Sequence, residues 1–82
     1  MKHSHTQTFG AWLKMRRGAL DLTQKELAQQ IGCAEITIRK IEADELRPSK
    51  HLAGVLLATL QVSRHEQPEL LALARRNHHN AV

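Results

Sequence analysis

The segment from Gln24 to Ile41 constrains the fold more than any other part of this 82-residue chain. It contains two short groups of apolar residues at helical spacing, separated by Gly32. Two short helices that cross steeply through a tight turn need a small residue at their closest approach, a left-handed residue in the turn, and interlocking aliphatic side chains. Ala28, Gly32 and Ile38 meet these needs. The pattern therefore predicts two helices joined by a sharp turn, with the outer face of the second helix exposed.

The other apolar residues recur at helical spacing and predict three further helices, so the expected fold is all-α with five helices. Start and stop signals give the approximate limits. We expect helix one to begin at Phe9, with Thr6 or Thr8 as its cap, and helix two to run from the Thr23 capping box to Gly32. Helix three should run from about Glu35 to Ala43, and helix four should begin after Pro48 and Ser49. Helix five should begin at Pro68, after a looser turn over 63–67.

The polar ends of the chain are expected to lie outside the folded domain. Residues 1–7 are polar and patternless, so we expect a flexible lead-in, a domain over residues 8–76 and a flexible tail over 77–82, with fraying from Arg75 onward. Neither His3 with His5 nor His78 with His79 has the helical spacing of a metal-ligand face, so we expect no metal.

The charge balance of the chain gives a weak indication of an anionic partner. Twelve Lys and Arg against eight Asp and Glu give a net charge of +4, which favours a polyanion but also fits a solvated basic face. Cys33 is the sole cysteine and no apolar run could cross a bilayer, so we expect a cytoplasmic protein without disulfides. We find no paired carboxylates, nucleophile with its base or phosphate loop, and therefore expect neither an enzyme nor a cofactor.

The segment LTQKELAQQIGCAEITIRKIEADELRPS closely resembles the helix-turn-helix of the phage repressor and Cro family, also called the xenobiotic-response-element family. The resemblance covers roughly Phe9 to Leu60 and implies a lambda-repressor-like fold in which helices two and three form the helix-turn-helix. It implies a transcriptional regulator that binds specific double-stranded DNA, with residues 35–43 in the major groove and helix one gripping phosphates. A homodimer is compatible with this family. The segment FGAWLKMRRGALDLTQ is also similar to DNA-binding domains at the head of large multidomain bacterial regulators. A second interpretation is therefore that this chain is one module of a longer protein.

The resemblance also implies roles for individual residues. Gln24 would open helix two and brace the DNA backbone, and Arg17 would pair with Glu42 as a structural bridge. By their chemistry, Glu35 can accept from cytosine N4 and Ile36 can touch a thymine methyl group. The expected DNA-binding residues are Thr23, Gln24 and Lys25 at the start of helix two, Ala34, Glu35, Ile36, Thr37, Arg39 and Lys40 on helix three, and Arg47 and Lys50 as backbone contacts near helix four.

Alternatives and departures remain at several of these positions. Arg39 and Lys40 could form only a solvated face, and Glu35 could only support the helix N-terminus through the macrodipole. Ala34 stands where the family usually has a serine-like cap, and Asp44 where it usually has glycine or asparagine. The alternative function is a protein-interaction or antitoxin-like module, which would use the leucine stripes of helices four and five.

Overall fold

The computed structural model describes residues 7–76 and contains five helices and no strand within that range. This confirms the all-α prediction. The lead-in before residue 7, the tail after residue 76, Thr6 and both histidine pairs lie outside the described residues. The helices are α1 (Phe9–Ala19), α2 (Gln24–Ile31), α3 (Glu35–Glu42), α4 (Lys50–Thr59) and α5 (Gln67–Arg76).

The helix-turn-helix begins and turns where its sequence signals predict. The Thr23 hydroxyl accepts a hydrogen bond from the Glu26 amide at 2.9 Å, and the Glu26 carboxylate accepts one from the Thr23 amide at 2.8 Å, which completes the capping box. Gly32 ends α2 with a φ of 80°. Ala34, the N-cap of α3, makes no capping hydrogen bond through its side chain, as its methyl group requires.

Two helix ends differ from the predictions. The last regular residue of α3 is Glu42 rather than Ala43, because Asp44 adopts a φ of 61° and turns the chain away. Helix α5 starts one residue before Pro68, which leaves the proline in the first turn, where its missing amide hydrogen costs no helical bond.

The expected fraying from Arg75 is wrong for the two arginines that end α5. Arg75 and Arg76 are helical, and the guanidinium of Arg47 donates a hydrogen bond to the Arg75 carbonyl oxygen at 3.0 Å. One of the last carbonyl groups of the helix therefore has a partner, which stabilises its final turn.

A single hydrophobic core holds the helix pair in place. Leu27 and Ala28 of α2 and Ile38 and Ile41 of α3 are buried, while Ile31 is only half-buried at the margin. The other helices cover this pair: α1 packs on α3, α4 on α2, and α5 on α1 and α4. The remaining core residues are Phe9, Trp12, Leu13, Ala53, Leu56, Leu57, Leu60, Val62 and Ala74. No helix in residues 7–76 is long and apolar enough to span a membrane.

Candidate DNA-binding surface

Helix α3 presents one face to the core and the opposite face to solvent. Ile38 and Ile41 are at most 1% exposed, whereas Ile36, on the outer face, is 41% exposed. This division follows from the 3.6-residue repeat, since positions three apart share a face of a helix. The outer face, which we call the α3 outer face, consists of the exposed residues Glu35, Ile36, Arg39 and Lys40, with half-buried Thr37 beside them.

The cations of the α3 outer face are available for an external partner. Arg39 and Lys40 lie in the last turn of α3, and neither makes an ion pair or a side-chain hydrogen bond within the described part of the chain. Glu35, in the first turn, is placed favourably with respect to the helix dipole. The surface thus combines a carboxylate, an apolar side chain and two cations along about two turns of helix.

A buried carboxylate fixes α3 against α1 and α2. The side chain of Glu42 is only 4% exposed and accepts hydrogen bonds from Arg17 Nε at 2.6 Å and from the Arg17 terminal nitrogen at 3.0 Å. The other terminal nitrogen of Arg17 donates to the Leu22 carbonyl oxygen at 2.7 Å. Hydrogen bonding to Glu42 raises the pKa of Arg17 above its ordinary value, against the opposing effect of burial. This is the bridge that the resemblance implied.

Gln24 belongs to the same network, which the sequence did not indicate. Its amide nitrogen Nε2 donates to Glu42 Oε1 at 2.9 Å, so the first residue of α2 is tied to the last residue of α3. The half-buried side chain has this internal partner, and its expected role of bracing the DNA backbone stays a prediction. The two other residues expected at this helix start, Thr23 and Lys25, are both exposed, although Thr23 also serves the capping box.

Helix α1 contributes less to an external surface than expected. Arg16 donates from Nε to the Leu60 carbonyl oxygen at 3.0 Å and from a terminal nitrogen to the Gln61 carbonyl oxygen at 3.1 Å. With Arg17 held by Glu42, two of the basic side chains of this helix have internal partners. Of the three basic residues of α1, the exposed Lys14 is therefore the one that remains for the expected contact with phosphates.

A second basic group lies where α4 begins. Arg47 and Lys50, both exposed and both expected to contact DNA, line an open cavity together with Pro48, Ser49 and Arg75. Nothing in the sequence around Arg75 indicated that it would lie here, since its only local signal is a position in the last turn of a helix that is distant in sequence. No described contact joins this group to the α3 outer face, although the loop over 43–49 connects them along the chain.

Two short helices joined by a tight turn, with the outer face of the second helix exposed, define a protein of the helix-turn-helix class. Comparison with known protein families matches residues 8–70 to a helix-turn-helix domain. This range is more than half of the chain, so the chain belongs to this helix-turn-helix domain family. The match is consistent with the resemblance to the repressor and Cro family. No curated protein and no solved structure matches the chain.

Proposed function

We propose that this chain is the DNA-binding module of a transcriptional regulator and recognises a specific double-stranded sequence through α3. The observation that carries the proposal is the α3 outer face, on a helix whose other side is locked into the core by Ile38 and Ile41. The major groove of B-DNA admits an α-helix and presents a different pattern of donors, acceptors and methyl groups for each base pair. An exposed helix with mixed side chains fits this role.

The side chains of the α3 outer face suit the edges of bases. Arg39 and Lys40 can donate to guanine or to phosphates, Glu35 can accept from cytosine N4, and Ile36 can pack on a thymine methyl group. The expected contacts at Ala34 and Thr37 belong to this proposal as well, with Thr23, Gln24 and Lys25 at the start of α2. Two copies of the chain would read half-sites about one helical turn, or roughly 34 Å, apart.

The network around Glu42 supports recognition by holding α3 at a fixed angle. Arg17 and Gln24 bring hydrogen bonds to it from α1 and α2, so the helix is oriented before DNA arrives. Preorganisation of this kind reduces the ordering cost of binding. The family match also supports a binding role rather than an enzymatic one, and the cytoplasmic location remains a prediction.

The test is selection of bound duplexes from a random pool, followed by fluorescence anisotropy with the selected duplex over a range of salt concentrations. We expect enrichment of a defined sequence and an affinity that falls steeply with salt, since cations release counterions from phosphates. Arg39→Ala should weaken binding by roughly 1–3 kcal/mol, or about five- to 150-fold, and relax one position of the site if Arg39 contacts a base. Lys40→Ala should have the same kind of effect or, at a phosphate, weaken all duplexes equally.

Arg64→Ala is the matched control for both substitutions. Arg64 is an exposed arginine outside the helix-turn-helix, between α4 and α5, and its replacement removes the same charge. Equal losses of affinity for Arg64→Ala and Arg39→Ala would mean that the effect comes from net charge alone. An unenriched pool and no duplex binding at low salt would refute the proposal and favour the protein-interaction alternative.

A further inference from the structure

Three cationic side chains from two separate parts of the chain converge at the start of α4. Arg47 lies in the loop before α4, Lys50 is the first residue of that helix, and Arg75 lies in the last turn of α5. All three are exposed and line the same open cavity, and none of the five described residues that line it is acidic. We call this group the Arg47–Lys50–Arg75 cluster.

The hydrogen bond from Arg47 to the Arg75 carbonyl oxygen explains why the cluster forms. It joins the loop before α4 to the end of α5 at 3.0 Å, across 28 positions of sequence. The contact uses the backbone of Arg75, which leaves the guanidinium of Arg75 out of this bond. Like charges held near one another repel, and a bound anion relieves that repulsion. Within residues 7–76 no carboxylate lines the cluster, which therefore has the electrostatics of an anion site.

The backbone at this position favours an anion as well. Ser49 caps α4 by accepting from the Leu52 amide at 3.0 Å, and the first-turn amides of Lys50 and His51 have no carbonyl of their own helix to bind. Those amides and the positive end of the helix dipole lie beside the three side chains. Tetrahedral phosphate oxygens match both kinds of donor.

We propose that Arg75 completes, with Arg47 and Lys50, a site for a backbone phosphate of the bound DNA. The inference rests on the proposed function and adds a contact from α5 to those expected near α4. Only the loop over 43–49 separates the end of α3 from α4, so the anion that we assign to the cluster is a phosphate flanking the groove that α3 enters. The contact carries no sequence information and fixes the position of the domain on the duplex.

The experiment compares the wild-type chain with Arg75→Ala, Arg75→Lys and Arg64→Ala on the selected duplex. Arg75→Ala keeps the carbonyl group that Arg47 binds, so it removes the charge while the hydrogen bond can persist. We expect the slope of log K against log salt to fall in magnitude by up to about 0.9, the value for one phosphate, since Arg47 and Lys50 still contact the same phosphate. Affinity at physiological salt should fall about two- to fivefold, as for an exposed ion pair, with the same selected sequence. Arg75→Lys should restore most of the slope, and Arg64→Ala should leave it unchanged.

Duplexes with single neutral methylphosphonate linkages locate the contact. One linkage flanking the site should weaken binding by the wild-type chain and have a smaller effect on Arg75→Ala, in which Arg47 and Lys50 still contact that phosphate. A thermal melt of each variant, followed by Trp12 fluorescence, separates this role from mere support of α5. A lower melting temperature with an unchanged salt slope would overturn the inference. Duplex binding with the same slope in the wild-type chain and Arg75→Ala would refute the inference alone, whereas no duplex binding by the wild-type chain would refute the proposed function and the inference with it.

Discussion

The close approach of α1 to the end of α3 at Gly10 yields a test of how the two helices pack. Gly10, in the first turn of α1, is buried, and its amide donates to the Asp44 carboxylate at 3.2 Å. A Cβ atom at this position would press on the Ile41 carbonyl oxygen and lie 2.6 Å from Asp44 Oδ1 and 2.7 Å from the Glu42 carbonyl oxygen. Two of these neighbours are backbone atoms at the end of α3, which cannot rotate away.

Gly10→Ala should therefore destabilise the domain although alanine is the better helix former. The clash should cost about 1–3 kcal/mol, as for overpacked cores. Loss of the hydrogen bond to Asp44 adds about 1 kcal/mol, and the helix propensity of alanine returns at most about 1 kcal/mol. The expected net loss is about 1–3 kcal/mol, which for a domain of this size lowers the melting temperature by roughly 5–20 °C.

The matched control is the same substitution in the last turn of the same helix. An added Cβ at Gly18 meets nothing within 4 Å, so Gly18→Ala should stabilise the domain by about 0.5–1 kcal/mol. Urea denaturation followed by the fluorescence of Trp12, the one tryptophan of the chain and 9% exposed, measures both variants. If Gly10→Ala proved as stable as Gly18→Ala, the close approach of α1 to α3 would be wrong.

Two further predictions concern side chains of the helix-turn-helix. Glu42→Ala should lower the free energy of unfolding by about 3–5 kcal/mol, because it leaves the Arg17 cation without its buried partner. Urea denaturation should show a smaller loss of stability for Glu42→Gln, which keeps a hydrogen-bond acceptor. Equal losses for the two variants would contradict an ionic origin of the stabilisation. Burial raises the pKa of the Cys33 thiol. The contribution of the neutral thiol to the stability of the fold is therefore present at neutral pH and is lost as the pH rises through the folded-state pKa. Iodoacetamide should accordingly alkylate Cys33 more slowly in the native chain at pH 8 than in the urea-unfolded chain, and equal rates would argue against the burial.

Local signals were sufficient to predict the helix-turn-helix. The Thr23 capping box, the left-handed Gly32 and the buried Ile38 and Ile41 each depend on residues within a few positions of one another, and the structure has all of them. Even the unusual Asp44 takes the positive φ that its side chain tolerates. Interactions of this range are encoded in spacing, so a single sequence is enough to indicate them.

Contacts between distant parts of the chain were not predictable in the same way. Helix α4 has no basic residue in its last turn, and Arg16 of α1 instead binds the carbonyl oxygens of Leu60 and Gln61, 44 and 45 positions away. The bond between Gln24 and Glu42, and the arrival of Arg75 beside Arg47, likewise depend on how whole helices pack. No local pattern specifies such contacts, because any exposed arginine could in principle serve.

These long-range contacts change the meaning of the net positive charge. An excess of cations indicated an anionic partner, but Arg17 is paired with the buried carboxylate of Glu42, which removes one cation from the available surface. Charges held in this way shape the fold and contribute little to counterion release on binding. The steep salt dependence expected of the domain must then come from cations without internal ion pairs, foremost the α3 outer face and the Arg47–Lys50–Arg75 cluster, and the salt slopes of single variants would apportion it between these two surfaces.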